Sequence, residues 1–301
     1  MDRTRPEIGR SEWRSRIQLI SLAVFNSYYL ARIGKYLCIP VLNCYSCPIG
    51  AVACPIGSIT AFALIRRIPY YIIGVIGLVA VSAGRAFCGW ACPFGFMQDL
   101  LYRIRSWKWS LPRLANSLKY ALLVLLVIAL PLALGGGKAK TPKERITGES
   151  SGAIDYCGLV CPAGTAEASV PSLITSEAIR ARASWRTWSK VGILAVVLGL
   201  AVVSRRSFCR ALCPLGALMA LSSGMSLLRL ETDREKCTRC RRCVTVCPTA
   251  SRIVPEAAGG KEATAECVMC LDCVRDCPEA GALATRFGAR TVMLSQGKSN
   301  A

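Results

Sequence analysis

CTRCRRCVTVCP at residues 237–248 and CVMCLDCVRDCP at residues 267–278 share one spacing of four cysteines and a proline. Both stretches read C-x2-C-x2-C-x3-C-P, a spacing that supplies thiolate ligands to [4Fe–4S] clusters. The first three cysteines lie on one tight loop, and the fourth begins a helix. Zinc sites use C-x2-C pairs rather than three-cysteine ladders followed by Cys-Pro. The pattern therefore favours iron–sulfur chemistry over a zinc site or a disulfide framework.

The eight cysteines of these motifs divide into two predicted clusters. In ferredoxins with two clusters, the fourth cysteine of each motif binds the other cluster. One predicted cluster is therefore held by Cys237, Cys240, Cys243 and Cys277. The other is held by Cys267, Cys270, Cys273 and Cys247. We expect a small α+β ferredoxin domain of the bacterial type at residues 230–290, followed by a polar tail at 291–301.

The composition indicates a membrane protein that uses iron–sulfur redox chemistry. The 301 residues are 53% hydrophobic, carry a formal net charge of +20, and include 18 cysteines and no histidine. Without histidine the chain cannot hold haem b through histidine, a Rieske cluster or a histidine general base. No nucleic-acid-binding motif accompanies the charge. Ligating thiolates and anionic membrane lipid are the expected counterparts of the arginine excess.

Four apolar segments predict that residues 1–229 form a four-helix transmembrane bundle, so the fold class is mainly α. The segments are residues 17–40, 69–84, 118–134 and 188–204. About 20 apolar residues in a helix cross ~30 Å of hydrocarbon, and the second segment is near the lower limit. Arginines near the N-terminus and a basic loop after the second segment favour a multi-pass protein of the cytoplasmic (inner) membrane, with both termini in the cytoplasm.

The predicted bundle contains an internal duplication, with repeat halves at about residues 17–100 and 118–222. RAFCGWACPFG at 85–95 and RSFCRALCPLG at 206–216 share Arg, Phe, both cysteines, Pro and Gly. Such self-similarity indicates a repeated structural unit. Halves that run the same way through the membrane are related by an axis along the membrane normal, which brings the two motifs together on the cytoplasmic side.

We therefore expect a third [4Fe–4S] cluster shared between the repeats. Its predicted ligands are Cys88, Cys92, Cys209 and Cys213. Free cysteine also packs well as a small apolar residue, but packing alone does not explain a spacing repeated in both halves. Three neighbouring cations are expected to favour the reduced, more negative cluster. They are Arg85, Arg206 and Arg210.

Six further cysteines are predicted to lie at the opposite membrane face. They are Cys38, Cys44, Cys47, Cys54, Cys157 and Cys161. Either four of them hold a fourth cluster with ligands from both halves, or they form disulfides on an oxidising face. Cys157 and Cys161 are the expected pair from the second half. In the first half the spacing does not decide among the candidates.

The paired F-C-x3-C-P-x-G motifs, followed by the two ferredoxin motifs, resemble those of the NapH/NosR-like membrane-bound 4Fe–4S ferredoxins, from residue 17 to about 283. The resemblance implies a multi-pass inner-membrane protein that relays electrons between the quinone pool or a periplasmic partner and a redox enzyme. Twelve cysteines match by position, namely Cys88, Cys92, Cys209, Cys213 and the eight of the ferredoxin motifs. The other six exceed what the NapH-type pattern requires.

Three functions remain as hypotheses. The first is a transmembrane conduit that passes electrons through [4Fe–4S] clusters to or from a cytoplasmic redox enzyme or soluble carrier. The second is a quinol dehydrogenase subunit that feeds a partner reductase. The third is a membrane iron–sulfur sensor or assembly anchor. In each, the chain supplies cluster ligands and no catalytic residue of its own. Side chains that could contact a quinol, but that equally suit interface anchors and helix caps, are Tyr70, Trp90, Gln98 and Asp99.

Overall fold

Helices dominate the fold, and one small sheet lies near the C-terminus. A computed structural model describes residues 12–44, 46–109, 111–112, 114–134, 155–181, 183–249 and 266–297. The chain divides into two units. The first unit comprises residues 1–18, 77–91 and 219–301, and the second comprises residues 19–76 and 92–218.

Several helices begin at a Cys-Pro step. Cys54, Cys92 and Cys161 each have extended backbone and precede a proline that occupies the first helical turn. Proline suits this position because its missing N–H would have no partner there. The cysteine side chain therefore lies at a helix N-terminus, where the helix dipole favours a thiolate.

The helices of the first hundred residues are Glu12–Phe25, Tyr28–Gly34, Pro55–Leu64, Tyr70–Ser82, Ala86–Trp90 and Pro93–Leu101. A longer helical stretch follows as Ala115–Leu122, a π-helical Leu123–Ala129 and Leu130–Leu134. Beyond it are Tyr156–Leu159, Pro162–Gly164, the π-helical Thr165–Ser169, Val170–Thr175, Glu177–Ala181 and Trp185–Val203. The last are Ser207–Ala211, Pro214–Ser222, the 3-10 turn Ser223–Met225, Arg242–Val246 and Asp272–Arg275.

Two helices of the described chain are long and apolar enough to cross a membrane, namely Ala115–Ala133 and Trp185–Val203. They overlap the third and fourth predicted spans. The first predicted span, at 17–40, is not one helix, because Ser27 is extended and separates two shorter helices. The second predicted span forms a helix of 13 residues, Tyr70–Ser82. The four-helix transmembrane bundle therefore stays a prediction.

The sheet lies in the first unit and has the order β1-β2-β3 with antiparallel neighbours. Its strands are β1 Leu228–Thr232, β2 Ala280–Phe287 and β3 Arg290–Gln296. Gly288, with a φ of 58°, opens the two-residue turn between β2 and β3, a position at which glycine is favoured in hairpins. The predicted polar tail from residue 291 was placed too early, since backbone pairing with β2 extends the sheet to Gln296. Residues 298–301 lie outside the described chain.

The sheet packs on the helices of the two cysteine motifs. Leu230, Val246, Val274 and Leu283 belong to one buried apolar cluster, together with Cys273 and Cys277. Burial of side chains of this size contributes about 1.5–3 kcal/mol each to folding. The apolar cluster therefore fixes both cysteine motifs on one small core.

The N-terminal helix also contacts the second motif within this unit. Arg14 is fully buried, and its Nη1 donates a hydrogen bond of 2.8 Å to Asp272 Oδ2. Arg14 Nε and Gln18 Nε2 both donate to the carbonyl oxygen of Gly89, at 3.2 and 2.8 Å. These contacts join three distant parts of the sequence.

Removing one partner of the Arg14–Asp272 pair is expected to destabilise the protein strongly. Both side chains are at most 1% exposed, and an uncompensated buried charge costs about 3–5 kcal/mol. Arg14→Met and Asp272→Asn should each lower the midpoint of thermal unfolding of the detergent-solubilised protein. The exposed pair Lys236–Asp233 is the matched control, and Lys236→Ala should change stability by less than about 1 kcal/mol. Equal effects at the two pairs would contradict the assignment.

Candidate iron–sulfur sites

Two cavities of the first unit are lined by cysteines of both motifs. One is lined by Cys247, Cys267, Cys270 and Cys273, among other residues. The second is lined by Cys237, Cys240, Cys243 and Cys277, among other residues. Each group contains three cysteines of one motif and the fourth of the other motif. These are the same groups of four that the motif spacing predicts.

The backbone of both motifs turns in the same way. Arg239 and Arg241 have φ values of 54° and 58°, and Met269 and Leu271, at the equivalent positions, have 48° and 62°. Left-handed residues between cysteines curl a loop so that backbone N–H groups face one concavity, which suits an anion. Such conformations are uncommon in residues other than glycine. Their repetition fits a loop shaped around a bulky anionic [4Fe–4S] cluster.

The thiols of this unit lie in an environment that opposes an isolated negative charge. Burial raises the pKa of Cys267 to about 11, and the nearby Arg85 partly counteracts this rise in pKa. A coordinated metal deprotonates a thiol outright. In the described chain no group of three or more Cys, Asp or Glu side chains is close enough to hold one metal ion. A cubane does not need such closeness, because each thiolate binds a different iron.

Three of the four cysteines predicted for the shared cluster lie in the second unit, namely Cys92, Cys209 and Cys213. Gln98 Nε2 donates to Cys209 Sγ at 3.0 Å, and Gln98 Oε1 accepts from the Phe208 amide at 3.2 Å. Gln98 belongs to the helix that begins after Cys92. The repeats therefore meet beside these cysteines. The fourth, Cys88, lies in helix Ala86–Trp90 of the first unit.

The arginines predicted to favour a reduced cluster have polar partners. Arg206 forms two hydrogen bonds to Asp99, of 3.1 and 2.8 Å, and both residues are buried. Arg85 Nη1 is 2.8 Å from Glu266 Oε2. Arg210 Nη2 donates to the Leu111 carbonyl at 3.2 Å. The two carboxylates offset much of the positive charge that the sequence suggested would act on a cluster.

Cysteines from both repeats also meet at a second place in the second unit. A Cβ built at Gly164 would lie 3.4 Å from Cys44 Sγ and 3.7 Å from Cys161 Sγ. At the equivalent Gly57, a Cβ would lie 3.7 Å from Cys157 Sγ. Both glycines belong to a C-P-x-G sequence that begins a helix. Each glycine therefore lies close to a thiol of the other repeat.

Two cysteines of the first repeat are neighbours of Cys157 and Cys161 in the region around Gly57 and Gly164. Cys44 and Cys54 each interact electrostatically with both. Cys47 interacts with Cys44 but is not among the neighbours that affect the second-half pair. The geometry thus groups Cys44, Cys54, Cys157 and Cys161. All six cysteines of this region carry free thiols in the described chain.

A half-buried carboxylate lies beside this group. Glu167 accepts a hydrogen bond from the backbone N–H of Cys44. Burial raises the pKa of Glu167 to about 7, and the Cys44 amide partly counteracts that rise in pKa. Glu167 therefore ties the second repeat to the cysteine loop of the first.

The predicted placement of the two membrane cysteine sets on opposite faces was wrong. Tyr156 is buried, and its hydroxyl donates to the Leu212 carbonyl at 3.2 Å. Tyr156 directly precedes Cys157, and Leu212 directly precedes Cys213. One tyrosine side chain and one hydrogen bond thus separate neighbours of the two sets, whereas the hydrocarbon core measures about 30 Å.

Several contributing residues were missed or undervalued in the sequence. Gln98 and Asp99 are buried partners of the second repeat rather than membrane-interface anchors. Their polarity within an otherwise apolar helix was the available signal. Tyr156 and Glu167 had no comparable signal, because their roles depend on contacts between segments distant in sequence.

The sites agree with matches to known protein families. The family model described as "4Fe-4S binding domain" matches residues 67–112 and 188–230, so it matches once in each repeat. The model described as "4Fe-4S dicluster domain" matches residues 229–281. No solved structure matches the chain.

Similar proteins include several ferredoxin-type proteins. The ferredoxin-type protein NapH of Haemophilus influenzae is 27% identical over 265 residues, covering 83% of this chain and 78% of that protein. The methylamine utilization ferredoxin-type protein MauN of Paracoccus denitrificans is 41% identical over 73 residues, covering 24% and 25%. An uncharacterized protein of Methanocaldococcus jannaschii is 29% identical over 207 residues, and the match spans 66% of each chain. Together these matches support a NapH-like 4Fe–4S ferredoxin family, to whose ferredoxin-type proteins the chain is similar.

Proposed function

We propose that the chain is a multi-pass membrane protein that holds four [4Fe–4S] clusters and relays electrons across or from the membrane, to or from a cytoplasmic redox partner. One observation carries the proposal. Residues next to the cysteines of one set contact residues next to the cysteines of another set, so the sets form a continuous series. When bound, a [4Fe–4S] cluster supplies one-electron transfer. The chain's own residues hold the clusters, exclude water and set the charge around them.

Membrane insertion is supported by exposed apolar side chains. Only 22% of Ala115–Ala133 and 17% of Trp185–Val203 is buried. Leu125 and Val196, within these helices, are 59% and 63% exposed. Exposed apolar surface of this extent marks contact with lipid or another protein. We infer that these helices are two of four spans, and that the termini lie in the cytoplasm.

Continuity within the membrane part is supported by Tyr156, which links Cys157 to the neighbour of Cys213. Continuity with the ferredoxin motifs is supported by the residues that follow Cys88. A Cβ at Gly89 would overlap the Val268 carbonyl oxygen, and Trp90 Nε1 donates to the Met269 carbonyl at 2.8 Å. The Cys88 segment therefore packs directly on the loop that begins with Cys267.

The proposed ligand sets follow from the cysteine groups. Two are the exchanged sets of the ferredoxin motifs. The third is Cys88, Cys92, Cys209 and Cys213. The fourth is Cys44, Cys54, Cys157 and Cys161, whose thiols lie among each other's nearest charged groups. On this assignment, Cys38 and Cys47 are buried thiols outside any set.

Serine substitutions test the fourth set. We expect Cys54→Ser and Cys157→Ser each to lower the iron and acid-labile sulfide content of the anaerobically purified protein by about four atoms, one cubane. Cys38→Ser and Cys47→Ser are the controls, because both are cysteines of the same region that lie outside the proposed set, and they should retain the full content. Loss of iron from both controls, with none from Cys54→Ser or Cys157→Ser, would contradict this ligand assignment.

Gln98→Leu tests the cluster proposed between the repeats. The Gln98 hydrogen bond to Cys209 Sγ stabilises negative charge on sulfur, and such bonds help to set the reduction potential of a cluster. We expect Gln98→Leu to lower the midpoint potential of one signal in a redox titration followed by EPR, with iron content unchanged. Gln18→Leu removes an amide that bonds a carbonyl oxygen instead, so its potentials should match those of the wild type. An unchanged potential in Gln98→Leu would contradict the assignment.

A second candidate function, a quinol dehydrogenase subunit, is favoured by the Tyr156 contact. Because this contact brings the two membrane sets close together, the relay spans less of the bilayer than sets on opposite faces would. Electrons entering within the membrane, from a quinol, suit such a relay better than electrons from a donor in the opposite aqueous phase.

Reduction in proteoliposomes separates the two functions. Quinol donation predicts that menaquinol or ubiquinol reduces the clusters, and that Cys157→Ser slows this reduction. A conduit from the opposite aqueous phase predicts reduction by dithionite on that side alone, and none by quinols. Clusters that no donor reduces in the membrane, although dithionite reduces them in detergent, would overturn both.

A further inference from the structure

The exposure of the eighteen cysteines is uneven. Only Cys240 is exposed, whereas the others are buried or half-buried. Cys240 is the middle cysteine of the first ferredoxin loop, residues 237–243. If electrons leave the chain for another protein, they leave where a cluster ligand reaches the surface. This step rests on the proposed function.

Arginines surround this exposed ligand. Arg239, Arg241 and Arg242 lie between the cysteines of the loop, and all three are exposed. The loop itself contains no acidic residue. Of the acidic residues near it, Asp233 pairs with Lys236 at 3.1 Å, Glu279 lines the cavity of this site, and the exposed Glu235 lies between Arg234 and Lys236 in sequence. The surface around Cys240 is therefore positive.

The second loop shows that the fold does not require these arginines. Met269, Leu271 and Asp272 occupy the positions of Arg239, Arg241 and Arg242, with the same left-handed turns at the first two. Met269 and Asp272 are buried inside the protein, where Asp272 pairs with Arg14. The two loops thus share one backbone conformation, but the second loop faces the protein interior, whereas the first faces solvent and is rich in arginine.

We propose that the loop 237–243 is the docking surface for an acidic face of a redox partner protein. Complementary charge raises the rate of encounter and orients the partner over the exposed ligand. Three exposed cations within seven residues give the high local charge that such steering needs. Unlike charge spread over the whole surface, this charge is centred on the one exposed cysteine.

The composition of the loop favours a protein partner over a lipid surface. Segments that bind membranes combine cations with large apolar or aromatic anchors. Between Cys237 and Cys243 the chain has, besides Cys240, only threonine and arginine. Exposed tryptophans lie elsewhere, at Trp107 and Trp109. Binding of the loop to anionic lipid is therefore the alternative that the test must distinguish from binding to a protein.

The test compares two double variants of the cluster-loaded, full-length protein in nanodiscs of zwitterionic phosphatidylcholine. Arg239→Glu with Arg242→Glu reverses the loop charge. Arg103→Glu with Arg105→Glu makes the same change in net charge at exposed positions outside it. Binding of two probes, an acidic flavodoxin and a basic cytochrome c, is measured by calorimetry at low and high salt.

We expect the wild type to bind the flavodoxin at low salt, with the Kd rising about tenfold or more at high salt because ions screen the contact. The loop variant should weaken flavodoxin binding about tenfold or more, and the control less than about threefold. Cytochrome c should not bind the wild type. Equal binding by the loop variant and the wild type would overturn the proposal. So would a loop variant that keeps flavodoxin binding but loses binding to vesicles of anionic phosphatidylglycerol.

Two further measurements separate this proposal from the proposed function. Iron content and reduction by dithionite should be the same in the wild type and both variants. Normal clusters with unchanged flavodoxin binding in the loop variant would reject the docking surface alone. Clusters that are present but not reduced from the membrane side would reject the relay, whatever the flavodoxin affinity.

Discussion

The fold depends on bringing thiols from distant segments around shared centres. In the first unit, Cys247 shares a cavity with a motif that begins twenty residues later. In the second unit, Cys44 and Cys161 approach one another although more than a hundred residues separate them. Bound clusters would act as cross-links, and cross-links between distant segments remove more conformational entropy from the unfolded chain than local ones do. Metal binding and folding are therefore coupled in such a chain.

Close packing and buried ion pairs accompany this convergence. Thiols of the opposite repeat lie close to Gly57 and Gly164. The helix after Cys92 holds the second repeat through Gln98 and Asp99, using one neutral and one charged contact. A buried arginine next to a carboxylate keeps the local charge near neutral, which limits the desolvation penalty of both groups. The protein can therefore support anionic centres in an apolar interior without isolated buried charges.

The sequence predicted the local features well and the long-range ones poorly. Motif spacing gives the exchange of Cys247 and Cys277, because the loop and the following helix are set by nearby residues. The break at Ser27 was missed, since the apolar character of the segment continues across it. The two membrane cysteine sets were predicted to lie at opposite faces, whereas the contact of Tyr156 with Leu212 joins residues next to both sets. Hydropathy reports whether a segment prefers lipid, and it does not report the depth at which the chain turns back.

The distribution of arginines gives the net charge a physical meaning. The sequence suggested that cysteine thiolates balance the excess of positive charge. In the described chain, the buried Arg14, Arg85 and Arg206 instead lie against carboxylates. Each such pair adds nothing to the net charge, so the excess must come from cations elsewhere, including the exposed Arg239 and Arg242. Exposed charge is screened by salt and interacts with whatever approaches from solution. Much of the positive charge that determines the net charge therefore lies at exposed positions, whereas the buried arginines beside the cysteine sites are paired with carboxylates.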